Sequence, residues 1–250
     1  MKKFVIVLSL LFFGFSQAQE PIDVFAKANE AYKKGDYQKA IGLYEKAMQK
    51  DEVSGELYYN LGNAYYKINQ IAPSIYYYEK AMQLLPNDED LRYNLSLVDQ
   101  MKMDKIDKVP ENILLRYKKK MNVLFSYNTW AILAVFWAFF GLLTFGIFLF
   151  SHKINLKRIS FVWMFLSLFF LLFSWYNADF GKKLSNQKYG IIFSPHVNLL
   201  TEPNLTSDKV FDLHEGTKLK VLKKSGEWEL VKLPDGKKGW LPAADIRLLD

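Results

Sequence analysis

TWAILAVFWAFFGLLTFGIFLF, residues 129–150, and ISFVWMFLSLFFLLFSWY, residues 159–176, carry no charged side chain, and only SHKINLKR, residues 151–158, separates them. At 1.5 Å per residue the first run reaches roughly 33 Å as a helix, enough to cross a hydrocarbon core of about 30 Å. The second is shorter, and its Trp175-Tyr176 end suits the headgroup boundary, where an amphipathic ring keeps one edge wet. Together they predict a two-helix transmembrane hairpin. The competing reading is a pair of buried core helices. Helices apolar on every face need a large protein around them, which the rest of a 250-residue chain does not supply.

The formal net charge is +7. Residues 19–108 hold 12 basic against 15 acidic side chains and residues 181–250 hold 12 against 9, so the two flanks nearly cancel. The excess lies beside the apolar runs, in Lys2 and Lys3, in Arg116, Lys118, Lys119 and Lys120, and in Lys153, Lys157 and Arg158. Cations in those places read membrane lipid headgroups and the insertion machinery. No nucleic-acid partner is expected. The chain has no cysteine, which excludes disulfides, thiolate metal sites and a lipid-modified cysteine behind a signal.

Lys2-Lys3, the apolar run 4–15 and Ser16-Gln17-Ala18 have the three parts of a secretory signal, so residues 1–18 are expected to be a signal peptide cut after Ala18. An uncleaved anchor is the alternative. A working signal starts the next segment outside the inner membrane, sends the hairpin in and back, and leaves both soluble domains in the periplasm with 151–158 as a cytoplasmic loop. The flanking charges oppose this. The loop has three Lys/Arg, whereas Arg116, Lys118, Lys119 and Lys120 stand before the hairpin and Lys182, Lys183 and Lys188 after it, and positive-inside counting alone reverses the topology.

Residues 19–108 contain an internal repeat. A shift of 34 lays Ala28-x-x-Ala-Tyr-Lys33 on Gly62-x-x-Tyr-Tyr-Lys67, and Tyr44-Glu-Lys-Ala-Met-Gln49 on Tyr78-Glu-Lys-Ala-Met-Gln83. The copies run 21–54 and 55–88. Small side chains let paired helices approach, and aromatic ones at helical spacing fill the gaps between them. Asp88-Glu-Asp90 opens a further helix with acids in its first turn, and Leu91, Leu95 and Val98 give it one apolar face, which marks 88–103 as a capping helix.

In residues 109–127, Pro110 breaks the preceding helix, and Ile113, Leu114, Tyr117, Met121, Leu124 and Phe125 interleave with the basic run. A juxtamembrane amphipathic helix lying in the interface and a plain basic stop before the hairpin both fit. Residues 186–250 change to short β-rich runs at 189–193, 197–200, 218–222, 227–233 and 239–241, five strands that suggest a small all-β barrel. Pro234-Asp-Gly236 supplies a hairpin turn. The fold class is thus a multi-domain membrane protein: an all-α solenoid, a transmembrane hairpin and a small barrel.

Catalytic and cofactor chemistry is not indicated. His152, His196 and His214 have no spacing that brings two of them to one metal, no glycine-rich phosphate loop follows a strand, and the acidic pairs sit at helix ends. No cofactor, no metal and no enzyme activity are expected.

The repeat is similar to the tetratricopeptide repeat. The first copy supplies Ala28, Ala40, Tyr44 and Ala47, the second Leu61, Gly62, Tyr65, Tyr78, Ala81 and Pro86, while Glu52 and Ser74 depart from the pattern. The resemblance implies a concave groove for an extended peptide or partner helix. Its matched positions hold Asn29, Tyr32 and Lys33, then Tyr59, Asn60, Asn63, Tyr66 and Lys67, then Asn94. Asparagine amides can pair with both groups of a passing peptide bond; tolerated surface amides are the alternative. Positions that grip a terminal carboxylate in related grooves hold Phe25, Asp90 and Asn94 here, so that specificity is not implied.

The carboxy-terminal run resembles the bacterial SH3 family, through Thr201-Glu-Pro203, Leu213-His-Glu-Gly-Thr217, Gly226-x-Trp228 and Gly236-x-x-Gly-Trp-Leu-Pro242. That likeness implies a cell-wall or peptide ligand and offers Trp228 and Trp240 as its face, with at least one of the two expected to serve the core instead. The whole order resembles the BatE-type proteins of Bacteroidetes aerotolerance operons. It implies a non-enzymatic envelope scaffold beside von Willebrand factor type A membrane proteins and a MoxR-type ATPase. A peptidoglycan-binding sensor or anchor is the alternative.

Overall fold

The structure is a computed structural model that describes residues 24–49, 53–107, 109–110 and 112–249. The expected signal peptide lies outside the described residues. The chain divides into two compact units, one ending at Met103 and the other beginning at Asp104.

The first unit is helical: α1 Val24–Lys33, α2 Tyr37–Met48, α3 Gly55–Lys67, α4 Ile71–Leu84 and α5 Glu89–Met101. Three helices start on side-chain caps, with Asp36, Ser54 and Asp88 accepting from the backbone N–H groups of Lys39, Leu57 and Leu91. Each cap satisfies a donor that the first turn leaves without a partner. The repeat's small and aromatic positions meet as the pattern requires. Ala28, Ala40, Ala47, Ala64 and Ala81 are fully buried, and Tyr44 and Tyr78 fill the spaces between them. A Cβ added at Gly62 would lie 2.6 Å from the Tyr78 ring, which is why that position is glycine. Ser74, a departure from the repeat pattern, is also accounted for: its buried hydroxyl donates to the Gly62 carbonyl at 2.9 Å, tying α4 to α3. Burial raises the Tyr44 phenol to about 12.

The second unit begins with residues 104–110. It continues through α6 Ile113–Leu124 into two long helices, α7 Tyr127–Phe150 and α8 Ile154–Ser185. Both are long and apolar enough to cross a membrane. Only 6% of the most apolar window of α7 and 17% of that of α8 are buried within the protein, which rules against core helices of a soluble domain. The expected connection 151–158 shortens to residues 151–153, because Ile154-Asn-Leu-Lys-Arg158 contains no helix breaker and joins α8.

Where α7 and α8 touch, the seam is small and polar. Ser160, Ser167, Ser174 and Gly181 recur at every seventh residue of α8, and all are buried. A seven-residue repeat keeps one face toward a partner helix in a left-handed supercoil, and small residues let the two backbones approach closely. Their polar atoms are served locally: Ser160 Oγ donates to Leu156 O and Ser167 Oγ to Met164 O, both at 2.7 Å. Aromatic rings lock the flanks, with Trp137 stacked on Phe170 at 4.8 Å and Trp163 edge-on to Phe140 at 5.8 Å.

Asn186 caps the end of α8, and the chain enters a seven-stranded antiparallel sheet. Its strands are β1 Lys188–Ile192, β2 His196–Leu200, β3 Lys209–His214, β4 Lys218–Ser225, β5 Trp228–Lys232, β6 Lys238–Pro242 and β7 Ile246–Leu248, in the order β3-β2-β6-β5-β4-β1-β7. Two strands exceed the five expected. Short apolar content hid β3, and β7 is only three residues long. Ile192, Leu199, Leu213, Leu219, Val231, Leu241 and Ile246 come from all seven strands and pack into one cluster, so the sheet curls around a single core. At the β5–β6 turn Gly236 has φ +94°, a conformation that side chains disfavour.

Residues 104–107 were expected to close the repeat domain. They belong instead to the second unit, where Asp104 bonds His214 and Ile106 packs on the core of the sheet.

Candidate partner-binding surfaces

The predicted groove asparagines form two copies of one arrangement. Asn29 Oδ1 accepts from Tyr44 OH at 2.6 Å and from Asn60 Nδ2 at 3.1 Å. One repeat later, Asn63 Oδ1 accepts from Tyr78 OH at 2.6 Å and from Asn94 Nδ2 at 3.1 Å. Asn94 Nδ2 also donates to Tyr59 OH at 2.8 Å. Each unit thus links the second helix of a repeat, the first helix of that repeat and the first helix of the next. The carbonyl oxygens of Asn29 and Asn63 are therefore committed to the solenoid. That charge-neutral ladder fixes helix spacing along the surface, and all four asparagines remain half-buried rather than sealed.

The other predicted groove residues spread more loosely. Tyr32 is half-buried edge-on to Tyr37, with ring centroids 5.2 Å apart, and burial raises its phenol, helped by Tyr37 and Tyr59. Tyr59 and Tyr66 are half-buried, and Lys33 and Lys67 are exposed. Tyr44 and Tyr78 are the residues that sequence reasoning missed as determinants of this surface. Their signal was available, because Asn29/Asn63, Tyr44/Tyr78 and Asn60/Asn94 all obey the shift of 34.

On the sheet, Trp228 and Trp240 do not enter the core. Strand β5 turns Glu229 and Val231 inward, so Trp228 and Leu230 face outward. Register places Trp228 opposite Pro242 and Leu230 opposite Trp240, and Leu200 also pairs with Trp240. Both tryptophans are half-buried on one outer face. The expectation of a core tryptophan is corrected here: an inward glutamate, 4% exposed, shifts the alternation by one residue.

Two of the three histidines face each other across a strand pair. Strand pairing sets His196 directly opposite His214, with ring centroids 5.4 Å apart. Each ring meets its own carboxylate, His196 Nε2 at 3.2 Å from Asp212 and His214 Nδ1 at 2.7 Å from Asp104. Among the described residues no group of three ligating side chains is disposed to hold a metal.

Asp104 meets three donors on the sheet. Its carboxylate, 6% exposed, accepts from the His214 backbone N–H at 2.7 Å, from His214 Nδ1–H at 2.7 Å and from the Thr217 hydroxyl at 2.6 Å. Burial pushes the carboxyl up, and the bonds from Thr217 and His214 outweigh it, so Asp104 is held below the ordinary carboxylate value. Ile106 packs on the sheet's core, and Val109 N–H donates to Pro234 O at 3.1 Å.

Family models match both regions of the chain. The TPR repeat model matches residues 28–69 and the Tetratricopeptide repeat model residues 55–88. The Bacterial SH3 domain model matches residues 195–247. No curated protein matches the chain. The chain therefore carries tetratricopeptide repeats before, and a bacterial SH3 domain after, a pair of helices long and apolar enough to cross a membrane.

Proposed function

We propose that this chain is a non-enzymatic scaffold of the bacterial inner membrane. Its repeats and its SH3 domain recruit protein partners on the periplasmic side, in an envelope-stress or aerotolerance complex. Von Willebrand factor type A membrane proteins and a MoxR-type ATPase system are the partners this reading implies. The repeat groove, through Asn29, Tyr32, Lys33, Tyr59, Asn60, Asn63, Tyr66, Lys67 and Asn94, takes an extended peptide or a partner helix.

One observation carries the proposal. Asp104 precedes the hairpin and His214 follows it, yet they are bonded at 2.7 Å. A hydrogen bond cannot reach through a bilayer, so this contact supports flanks that share one side, with two interaction modules concentrated there for a common partner. The exposed apolar side chains of α6, Ile113, Leu114 and Tyr117, support its lying in the interface on that same side. Lys118 reaches back to α8, bonding Tyr176 OH at 2.6 Å.

The test uses the absence of native cysteine. Leu205, 81% exposed in the β2–β3 loop, is replaced by cysteine, and cells with a permeabilised outer membrane receive a maleimide that cannot cross the inner membrane. Labelling supports a periplasmic SH3 domain. Labelling only after inner-membrane lysis removes it.

A second reading, a peptidoglycan-binding anchor or sensor, is favoured by the outward tryptophan face. The full chain in nanodiscs should then sediment with isolated cell wall, and Trp228→Ala with Trp240→Ala should abolish that. A scaffold for protein partners alone shows no sedimentation.

A further inference from the structure

We infer that residues 104–109 are the SH3 domain's own ligand, filling in cis a site that takes an acidic-aliphatic peptide segment of a partner. This site shares no residue with the Trp228/Trp240 face. It rests on the interaction reading of the SH3 domain.

The backbone of the recognition elements is held by the sheet. Gly216 N–H donates to Ile192 O at 2.8 Å and Ile192 N–H to Thr217 O at 3.1 Å, so β1 fixes the turn from His214 to Thr217. That turn aims one backbone N–H, one ring N–H and one hydroxyl at a single point. Three converging donors are a carboxylate site, and a carboxylate is what occupies it. Two residues further on, Ile106 covers the edge of the apolar core, and Val109 then pairs by backbone with Pro234 at the β5–β6 turn. A charged anchor, an aliphatic contact and a main-chain bond, from Asp104, Ile106 and Val109, are the parts of a peptide-recognition mode.

The donors lie 110 and 113 residues from Asp104 in the sequence. The pairing joins segments far apart in the chain, and Thr217, 2% exposed, gives its hydroxyl to Asp104 at 2.6 Å. A segment tethered nearby acts at an effective concentration of about millimolar. A partner carrying Asp-x-Ile-x-x-Val chemistry must therefore displace it, and the strap keeps weak or incidental acidic segments out.

The test is made on the full chain in nanodiscs. Wild type, Asp104→Asn and Thr217→Val are compared by amide hydrogen exchange. A fluorescent peptide with the sequence of residues 104–109 is then titrated onto each. Asp104→Asn and Thr217→Val should each raise exchange of the His214 and Val109 amides about tenfold or more, leaving β4, β5 and β6 unchanged. The peptide should bind Asp104→Asn about tenfold or more tighter than wild type, and the added Thr217→Val change should remove that gain. Unchanged exchange at His214 and Val109 overturns the clasp. Equal acceleration across β4 to β6 makes the strap an integral part of the fold and overturns the inference. Opening without peptide binding overturns the ligand site while leaving the scaffold reading, tested by labelling, intact.

Discussion

Replacing Gly62 by alanine should destabilise the repeat unit, whereas replacing Gly42 should stabilise it. The two positions are both glycines inside helices, α3 and α2, and differ in what a methyl group meets. At Gly62 the new Cβ would stand 2.6, 2.8 and 3.1 Å from three Tyr78 ring carbons; at Gly42 it meets nothing within 4 Å. Alanine in a helix interior is worth about 0.8–1 kcal/mol over glycine, and Gly42→Ala should show most of that as gain. At Gly62 overpacking opposes it by about 1–3 kcal/mol. Tyr78 has little freedom to yield, being fully buried with its hydroxyl held by Asn63. If the ring moves, that hydrogen bond goes as well, at about 1 kcal/mol. The balance is a loss of about 1–2 kcal/mol. Amide exchange of α3 and α4 in the full chain reads it directly, since about 1.4 kcal/mol is a tenfold change in an opening constant. Protection should fall about tenfold for Gly62→Ala and rise severalfold for Gly42→Ala. Equal and same-signed changes for the two variants would refute the packing argument.

Tyr44→Phe and Tyr78→Phe should each lower the stability of the repeat unit by about 1 kcal/mol, with similar effects because the two hydroxyls make the same 2.6 Å bond one repeat apart; denaturant unfolding followed by tyrosine absorbance measures both. Ser167→Leu should separate the hairpin, since Ser167 is 2% exposed and packed on Gly141, and a disulfide engineered across the α7–α8 seam should form more slowly in that variant. The docked Asp104 carboxyl sits below its ordinary value, so its contribution is fully present above about pH 4 and is lost as pH falls below that. Thermal midpoints taken from pH 7 to pH 3 should therefore decline less steeply below pH 4 in Asp104→Asn than in wild type.

Short-range periodicities made much of this fold legible. Asp36, Ser54 and Asp88 stand where helix starts need an acceptor, and the 34-residue shift laid buried Ala47 on Ala81 and buried Tyr44 on Tyr78. The seam of the hairpin was written just as plainly, in Ser160, Ser167, Ser174 and Gly181 seven apart, but uniform hydrophobicity drew attention from it. Sheet faces were harder. Residues 227–233 carry apolar side chains on both faces, and the inward turn of Glu229 depends on partners in other strands. The Asp104 site was not legible at all, because no local pattern announces a bond between residues 110 apart.

That long-range bond also bears on the conflict between signal and charge. Counting Lys/Arg treats the two flanks and the loop as independent votes. A clasp from Asp104 to His214 joins the flanks, so they enter the choice as one group. The loop loses weight too: with α8 beginning at Ile154, Lys157 and Arg158 stand in its first turns, where long side chains can snorkel toward headgroups from within a span. Lys118 is likewise engaged with Tyr176. Of the flank charges that oppose a periplasmic arrangement, Lys118 has an intramolecular role, whereas discounting Lys157 and Arg158 removes votes in its favour, and the choice between the two sides is binary. A single label at position 205 reports on both flanks at once, provided the clasp is closed, and the Asp104→Asn variant labelled in parallel separates the position of the SH3 domain from the closure of the strap.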